Sequence, residues 1–290
     1  MSDDVLERYG FVPANHTKPQ FFPVSVRPVY DERGMELPGW KRVQRDDTGT
    51  VLAVHTDSYR LITNEEAFGA FEDALRHSSL DLNGMRIATD YANGGARVFR
   101  QYLLPAHMVE VAPRVRVALR LLMFNSYDGT VAFKGMSGAF NFVCANTCVV
   151  GKEFASFKMK HINGSVALDL HKVATTLVHA AEQFEVEAQR FRDWHNIRIS
   201  PIHHAEQVER VFRAIPQSTT ALVEHLTTQW LRAATSDGPN NGETLWALYN
   251  VLTAWATHAV PAKGGQSTRF DRELRVAKAI ESDAWAALTH

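Results

Sequence analysis

Arg114-Val115-Arg116-Val117-Ala118-Leu119-Arg120-Leu121-Leu122-Met123-Phe124, followed at once by Asn125-Ser126-Tyr127-Asp128-Gly129-Thr130, decides how this chain is read. Successive side chains of a strand point to opposite faces. Over 114–124 that alternation puts Val115, Val117, Leu119, Leu121 and Met123 on one face. Arg114, Arg116 and Arg120 fall on the other. The run predicts a strand with one core face and one cationic, solvent-facing face. Asp128-Gly129 is a strong hairpin signal, because glycine takes the positive φ such turns need. Asn125–Thr130 is therefore expected to be a tight turn in which Asp128 bonds local amides.

Outward from this stretch the pattern stays β. Strands are expected near 85–91, 97–104, 130–134, 139–145 and 154–160, with Asn93-Gly94-Gly95 as a separating turn. Before them, 50–62 reads as a strand or hairpin turning at Thr56-Asp57-Ser58. Residues 64–77 read as an inserted helix. Asn64 is its N-cap, Glu65 and Glu66 favour its dipole, and Phe68, Phe71 and Leu75 form its apolar stripe. Residues 1–45 hold five of the eleven prolines and are expected to be irregular, with Phe21, Phe22, Val24, Val26, Val29 and Tyr30 still able to form an edge strand or to pack onto a core.

After Ser165 the period changes. Val173, Leu177, Ala181, Phe184, Ala188 and Phe191 recur every three or four residues, a helical stripe. Further helices are expected at 204–214, 219–235, 243–259 and 270–288, with loops at 237–242 and at Gly264-Gly265. The fold class is α+β: an antiparallel β-meander with an inserted helix, then a helical C-terminal half. Three regions follow: an irregular segment 1–49, an α+β nucleic-acid-binding core 50–165 and a helical region 166–290.

The 290 residues are 45% hydrophobic and 22% charged, an ordinary globular composition that excludes disordered and collagen-like classes. Val117–Phe124 is interrupted by Arg120 and is far shorter than the roughly 20 apolar residues a membrane helix needs. Met1-Ser2-Asp3-Asp4 does not begin a signal peptide. Cys144 and Cys148 cannot make a disulfide framework, so a reducing cytoplasmic location is the expectation. The net charge of −1 hides an uneven distribution. Residues 1–96 carry 10 Lys/Arg and 15 Asp/Glu, 97–160 carry 9 and 3, and 161–290 carry 12 and 14. A basic middle can attract a polyanion whatever the total charge.

That middle supplies the candidate nucleic-acid-binding residues. Arg114, Arg116 and Arg120 share a strand face, as do Ser156, Lys158 and Lys160, and Arg97, Arg100 and Lys134 lie on neighbouring strands. Phe99, Tyr102, Phe124 and Tyr127 interleave with them and could stack on bases. The alternative is a solvated face with scattered charges. In helix 243–259, Leu245, Leu248, Leu252 and Trp255 form the core stripe, and Trp246, Asn250, Thr253 and Thr257 a second one. Trp246 and Asn250 are candidate contacts to a subunit or ligand, or else members of a buried polar network.

Other chemistry is thinly represented. Asn125 and Asp128 have no His or Glu at metal-ligand spacing, and the turn reads better as an Asx-rich hairpin. Cys144-Ala145-Asn146-Thr147-Cys148 has no second Cys pair and reads as two buried thiols rather than a zinc site. His203-His204, His171 and His179 match no metal motif. No phosphate loop, nucleophile elbow or catalytic carboxylate pair stands out, so no catalytic residue, metal or cofactor is expected.

Asn125–Thr130, then Phe142-Val143-Cys144-Ala145-Asn146-Thr147, then Lys158-Met159-Lys160-His161 resemble the phage/plasmid-like protein family, a domain of unknown function on mobile elements. Thr244-Leu245-Trp246-Ala247-Leu248-Tyr249-Asn250-Val251-Leu252-Thr253, with His258, resembles that family's Thr-Leu-Trp…Asn helix, and Tyr59–Phe68 its early strand-to-helix step. The chain departs from the pattern at Thr147-Cys148, where an aliphatic residue is commoner, and at Lys160, where an Arg more often precedes His161. A basic strand closing in His161 is what the resemblance adds to the binding set. The order of elements is also similar to phage single-strand annealing proteins of the Red-beta and Erf type. That likeness implies a groove for single-stranded DNA across a ring or filament of copies, with no nucleotide hydrolysis.

The expected function is thus a phage or plasmid DNA-metabolism protein that binds single-stranded DNA and promotes annealing and recombination. Its expected partners are single-stranded nucleic acid and copies of itself, without a membrane, in the host cytoplasm. A metal-dependent DNA-processing enzyme and an interaction protein blocking a host defence factor are the rivals.

Overall fold

The computed structural model describes residues 3–14, 21–130, 133–142, 145–149, 170–260 and 269–289. In chain order these form α1 (Asp3–Arg8), β1 (Val12–Pro13), β2 (Val24–Tyr30), β3 (Glu36–Arg45), β4 (Val51–Thr56), α2 (Asn64–His77), β5 (Arg86–Ala92), β6 (Arg97–Ala112), β7 (Val115–Ser126), β8 (Lys134–Asn141) and β9 (Thr147–Val149). Helices α3 (Leu170–Asn196), α4 (Ala205–Ala214), α5 (Thr220–Thr235), α6 (Leu245–His258), α7 (Arg269–Ile280) and α8 (Asp283–Ala286) follow. The class is α+β, with antiparallel sheets first and helices after, as expected. No helix among the described residues is long and apolar enough to cross a membrane.

Two sheets form. A six-stranded sheet has the order β1-β5-β6-β7-β8-β9, and a three-stranded sheet the order β2-β3-β4. The second corrects the expectation that residues 1–45 are irregular. Pro28 sits where the β2–β3 register shifts, and an edge strand or bulge tolerates the missing N–H of proline. In the larger sheet, β6 runs on to Ala112 rather than ending near 104, its register shifting between Leu104 and Met108 around Pro105. The two short strands expected at 130–134 and 139–145 are one strand, β8. The strand expected at 154–160 lies outside the described residues.

Local chemistry sets the helix ends. Thr63, not Asn64, caps α2. Its Oγ1 accepts from the Glu66 amide (3.1 Å), and the Glu66 carboxylate accepts from the Thr63 amide (2.9 Å). Thr219 and Thr244 cap α5 and α6. The helix expected at 270–288 breaks at Ser282, which caps α8.

The pairing Arg100↔Met123 and Phe99↔Phe124 assigns the faces of the large sheet. On one face Val98, Tyr102, Val115, Val117, Leu119 and Met123 join the main core with Phe68 and Phe71 of α2, Phe191 of α3 and Trp246 of α6. On the other, Ala118 and Phe140 pack with Leu6 and Phe11, while Leu122 and Phe124 pack with Phe270 and Ala277 of α7. Both faces are covered. The expected solvent-facing side of β7 therefore does not exist beyond Arg116, because α7 and the N-terminal segment lie across it.

Candidate functional site

The cations of the middle segment separate into two groups. Arg120 is 0% exposed and ion-paired with Glu273 of α7, on the face opposite Arg100. Its Nε and Nη1 have no partner among the described residues. Arg100 is 2% exposed and donates to Glu72 of α2 (2.8 Å), Thr89 (2.6 Å) and the Tyr102 hydroxyl (3.1 Å). Burial, and then the neighbouring Glu72, push the Tyr102 hydroxyl well above its ordinary pKa. Arg97 is half-buried and donates to Asp128 (3.3 Å) and Thr130 (2.7 Å). These three arginines are thus taken up in or beside the interior and do not form the single cationic face expected of them.

Arg114 and Arg116 do reach solvent, at the β6–β7 hairpin. Arg116 is 61% exposed, with Glu110 at 4.0 Å across the ladder. Arg114 is exposed and holds φ +68°, a conformation that costs a non-glycine residue. Lys134 begins β8 opposite Phe124. Lys158, Lys160 and His161 lie outside the described residues, as does Cys144. The expected stacking residues are core residues: Phe124 is buried with its ring 3.8 Å from that of Phe270. Tyr127 is buried with its hydroxyl accepting from the Asn64 amide (3.0 Å).

Asn125–Thr130 is a joint. Asn125 Nδ2 donates to the Ile62 carbonyl (3.2 Å) and to Asn64 Oδ1 (2.9 Å), tying β7 to the entry of α2. His55 of β4 stacks on Tyr59 (3.8 Å between ring centres) and bonds the Tyr127 carbonyl (2.6 Å). Gly129 takes φ +69°, as expected, and the Thr130 amide donates to Asp128 Oδ1 (3.0 Å). Burial disfavours the charge on Asp128, but bonds from Thr130, with Arg97 and Asn93 nearby, outweigh it and hold the carboxyl below its ordinary pKa. Among the described residues no group of three or more His, Cys, Asp or Glu side chains is placed to hold a metal ion.

Trp246 and Asn250 do not form an exposed contact stripe. Helix α6 is buried from Leu245 to Thr253, and the two residues belong to a buried amide network, the alternative weighed above. Asn141 Nδ2 donates to Asn240 Oδ1 (3.1 Å) and Asn250 Oδ1 (3.2 Å). Trp246 Nε1 donates to Asn240 Oδ1 (3.1 Å), and Asn250 Nδ2 to the Trp246 carbonyl (2.8 Å). Asn146 Nδ2 donates to the Asn250 carbonyl (3.2 Å) and Thr253 (3.3 Å), which turns Asn146 Oδ1 to accept from His258 Nε2 (2.9 Å). The network floors a cleft of about 610 Å³ beside α5 and α6. Asn146, from the strand-end motif, meets Asn250 and His258, from the late helix motif, across more than 100 residues of sequence.

The sequence from 51 to 280, which holds this cleft, the joint and every described arginine pair above, matches the model of a family described as Domain of unknown function (DUF932). The chain belongs to this family. No curated protein and no solved structure matches the chain. The DUF932 region begins at β4, so β2 and β3 precede it. Within DUF932, the residues of the cleft and of the amide network beneath it that sequence reasoning did not select as site residues include Asn141, Asn146, Asn240, Arg232, His225 and His258. Asn146 and His258 stand in the motifs quoted above, and Asn141 is an amide between Phe140 and Phe142, whereas Asn240, Arg232 and His225 carried no local signal.

Proposed function

We propose that this chain binds single-stranded nucleic acid and brings complementary strands together without nucleotide hydrolysis. It acts as a homo-oligomer in phage or plasmid DNA metabolism, in the host cytoplasm. The observation that carries the reading is the β6–β7 hairpin. Within the basic stretch 97–160, three arginines are taken into ion pairs in or beside the core, while Arg114 and Arg116 are exposed at the end of the ladder, Arg116 with Glu110 at 4.0 Å. Arg114 keeps a left-handed backbone that glycine would adopt at lower cost, which supports a use for its guanidinium. The likeness of the motifs to the mobile-element family, and of the element order to annealing proteins, supports the same reading.

The test is a gel-shift titration of Arg114→Ala/Arg116→Ala against the parent at two salt concentrations. Each arginine removed from a phosphate lowers the salt slope by about 0.7 on single strands, so the slope of the double variant should fall by about 1.4. Equal affinity and equal slope would place binding elsewhere. Light scattering with and without an oligonucleotide tests assembly, and a monomer in both conditions removes the annealing part.

A further inference from the structure

Resting on the reading of the chain as a single-strand binder, we propose that the open face of the three-stranded sheet is a second contact surface for single-stranded nucleic acid. Trp40 stacks on a base there, and Arg27 and Arg42 meet phosphates. The surface is distinct from the β6–β7 hairpin: Arg116 stands near one end of β7, and Tyr127, on which the small sheet packs, just past the other. Two of its three strands, β2 and β3, precede the DUF932 region.

The strand register puts these side chains on one face. Trp40 pairs with Thr56, and Arg42 pairs with Val54 on one side and Arg27 on the other. Directly paired residues share a face, as do alternate residues of one strand. Val43 points the other way, into the cluster with Tyr59 and Tyr127, so the face of Trp40 and Arg42 is the outer one. Its chemistry is aromatic and cationic. Trp40 is 48% exposed, whereas the other five tryptophans are buried or half-buried. Phe99, Tyr102, Phe124 and Tyr127 of the basic middle segment are core residues, so a half-exposed indole beside arginines supplies the stacking surface that they do not. Every base has a π-face, so stacking there needs no particular sequence. No carboxylate is paired with Arg42 on either neighbouring strand. At the end of the face, Asp46 accepts from Ser25 Oγ (2.5 Å) and lies 3.7 Å from Arg27, whose side chain is 55% exposed. Two cations directly across a ladder repel one another, and an anion laid between them offsets that repulsion. Trp40 and Arg42 are two residues apart, about 7 Å along the strand, so one nucleotide can set its base on the ring and its phosphate near the guanidinium. A second copy of the chain fits this face less well, because a face-to-face contact sets Arg27 and Arg42 against themselves.

The test follows tryptophan emission while the protein is titrated with an oligothymidylate of about eight nucleotides. An abasic oligomer of the same length, polyglutamate, and the protein alone over a range of concentrations are the controls. The oligothymidylate should quench the emission and bind at least about fivefold more tightly than the abasic strand, as one stacked base requires. Trp40→Ala should weaken binding about tenfold and remove most of the quench. Trp40→Phe keeps a flat ring and should restore most of the affinity without the quench. Arg27→Ala/Arg42→Ala should lower the salt slope by about 1.4. Should Trp40→Ala fail to fold, Trp40→Phe decides alone, and an undiminished quench in it overturns the proposal. Equal binding of the abasic strand or of polyglutamate overturns it too. So does quenching on raising the protein concentration alone, which assigns the face to a second copy. Arg114→Ala/Arg116→Ala should leave the quench at saturation unchanged, and if that pair also leaves affinity unchanged the hairpin reading falls while the sheet stands. A parent that binds no single strand removes the single-strand reading as a whole, whereas a parent that binds, with an undiminished quench in Trp40→Phe, removes only the sheet.

Discussion

The two sheets are built from similar strands, yet one is enclosed and the other is half open. In the six-stranded sheet both faces of β7 are covered, one by α2, α3 and α6 and the other by the N-terminal segment and α7. In the three-stranded sheet only the face of Val43 is covered, by Tyr59 and Tyr127. The other face leaves Trp40 48% and Val54 50% exposed, with Arg27 and Arg42 directly opposite one another. An arginine buried in the first sheet therefore needs a carboxylate beside it, whereas Arg27 in the second keeps 55% of its side chain in solvent and meets Asp46 at 3.7 Å there. The same residue type means different things in the two places, and strand alternation alone does not say which.

The sharpest way to break this contrast is Arg120→Ala. It removes the Arg120 guanidinium from buried Glu273, leaving Arg269 at 3.8 Å, and should cost about 3–5 kcal/mol in urea unfolding. Replacing both as Arg120→Met/Glu273→Leu should recover most of that. A single-variant loss of the size seen for surface changes would mean that α7 does not seal the face. Next comes the joint between the sheets. Gly129→Val forces a β-branched residue to φ +69°, with His55 already 3.4 Å from the position of its Cβ, and should cost about 1–3 kcal/mol.

A smaller effect is expected from acid. The Asp128 carboxyl is held below its ordinary value of 3.8, so its contribution is complete above that value and is lost as pH falls through the lower, folded one. Melting temperature measured from about pH 6 down to about pH 3 should fall less steeply for Asp128→Asn than for the parent. Parallel curves would show that the joint does not depend on the charge. Least of all, Val54→Thr on the half-open face should change stability by no more than about 0.5 kcal/mol. A loss of several times that would show the face to be covered in solution.

Much of the fold was legible. The helices were read to within a few residues because a stripe such as Phe184, Ala188 and Phe191 survives any packing arrangement, and these three are buried as a stripe demands. The N-terminal sheet was missed because prolines argue against central strands, and Pro28 evades that rule at a register shift. The covered second face of β7 was written in Leu121-Leu122-Met123-Phe124, where alternation gives way to a continuous apolar run, but the arginines drew the reading away from it. The cleft was the least legible part. Its amides come from β8, the strand end at Asn146, the loop at Asn240 and α6, and no local pattern links them.

The Arg120–Glu273 pair has a further consequence, in time rather than in space. The partners are 153 residues apart. A ribosome adding about 5–20 residues per second needs roughly 8–30 s to travel from one to the other. During that interval the part of the face that α7 will cover carries a cation with no Glu273 to meet it. Docking another surface there would bury an unpaired charge, which is costly. That cost disfavours early burial of the region until α7 arrives with its carboxylate.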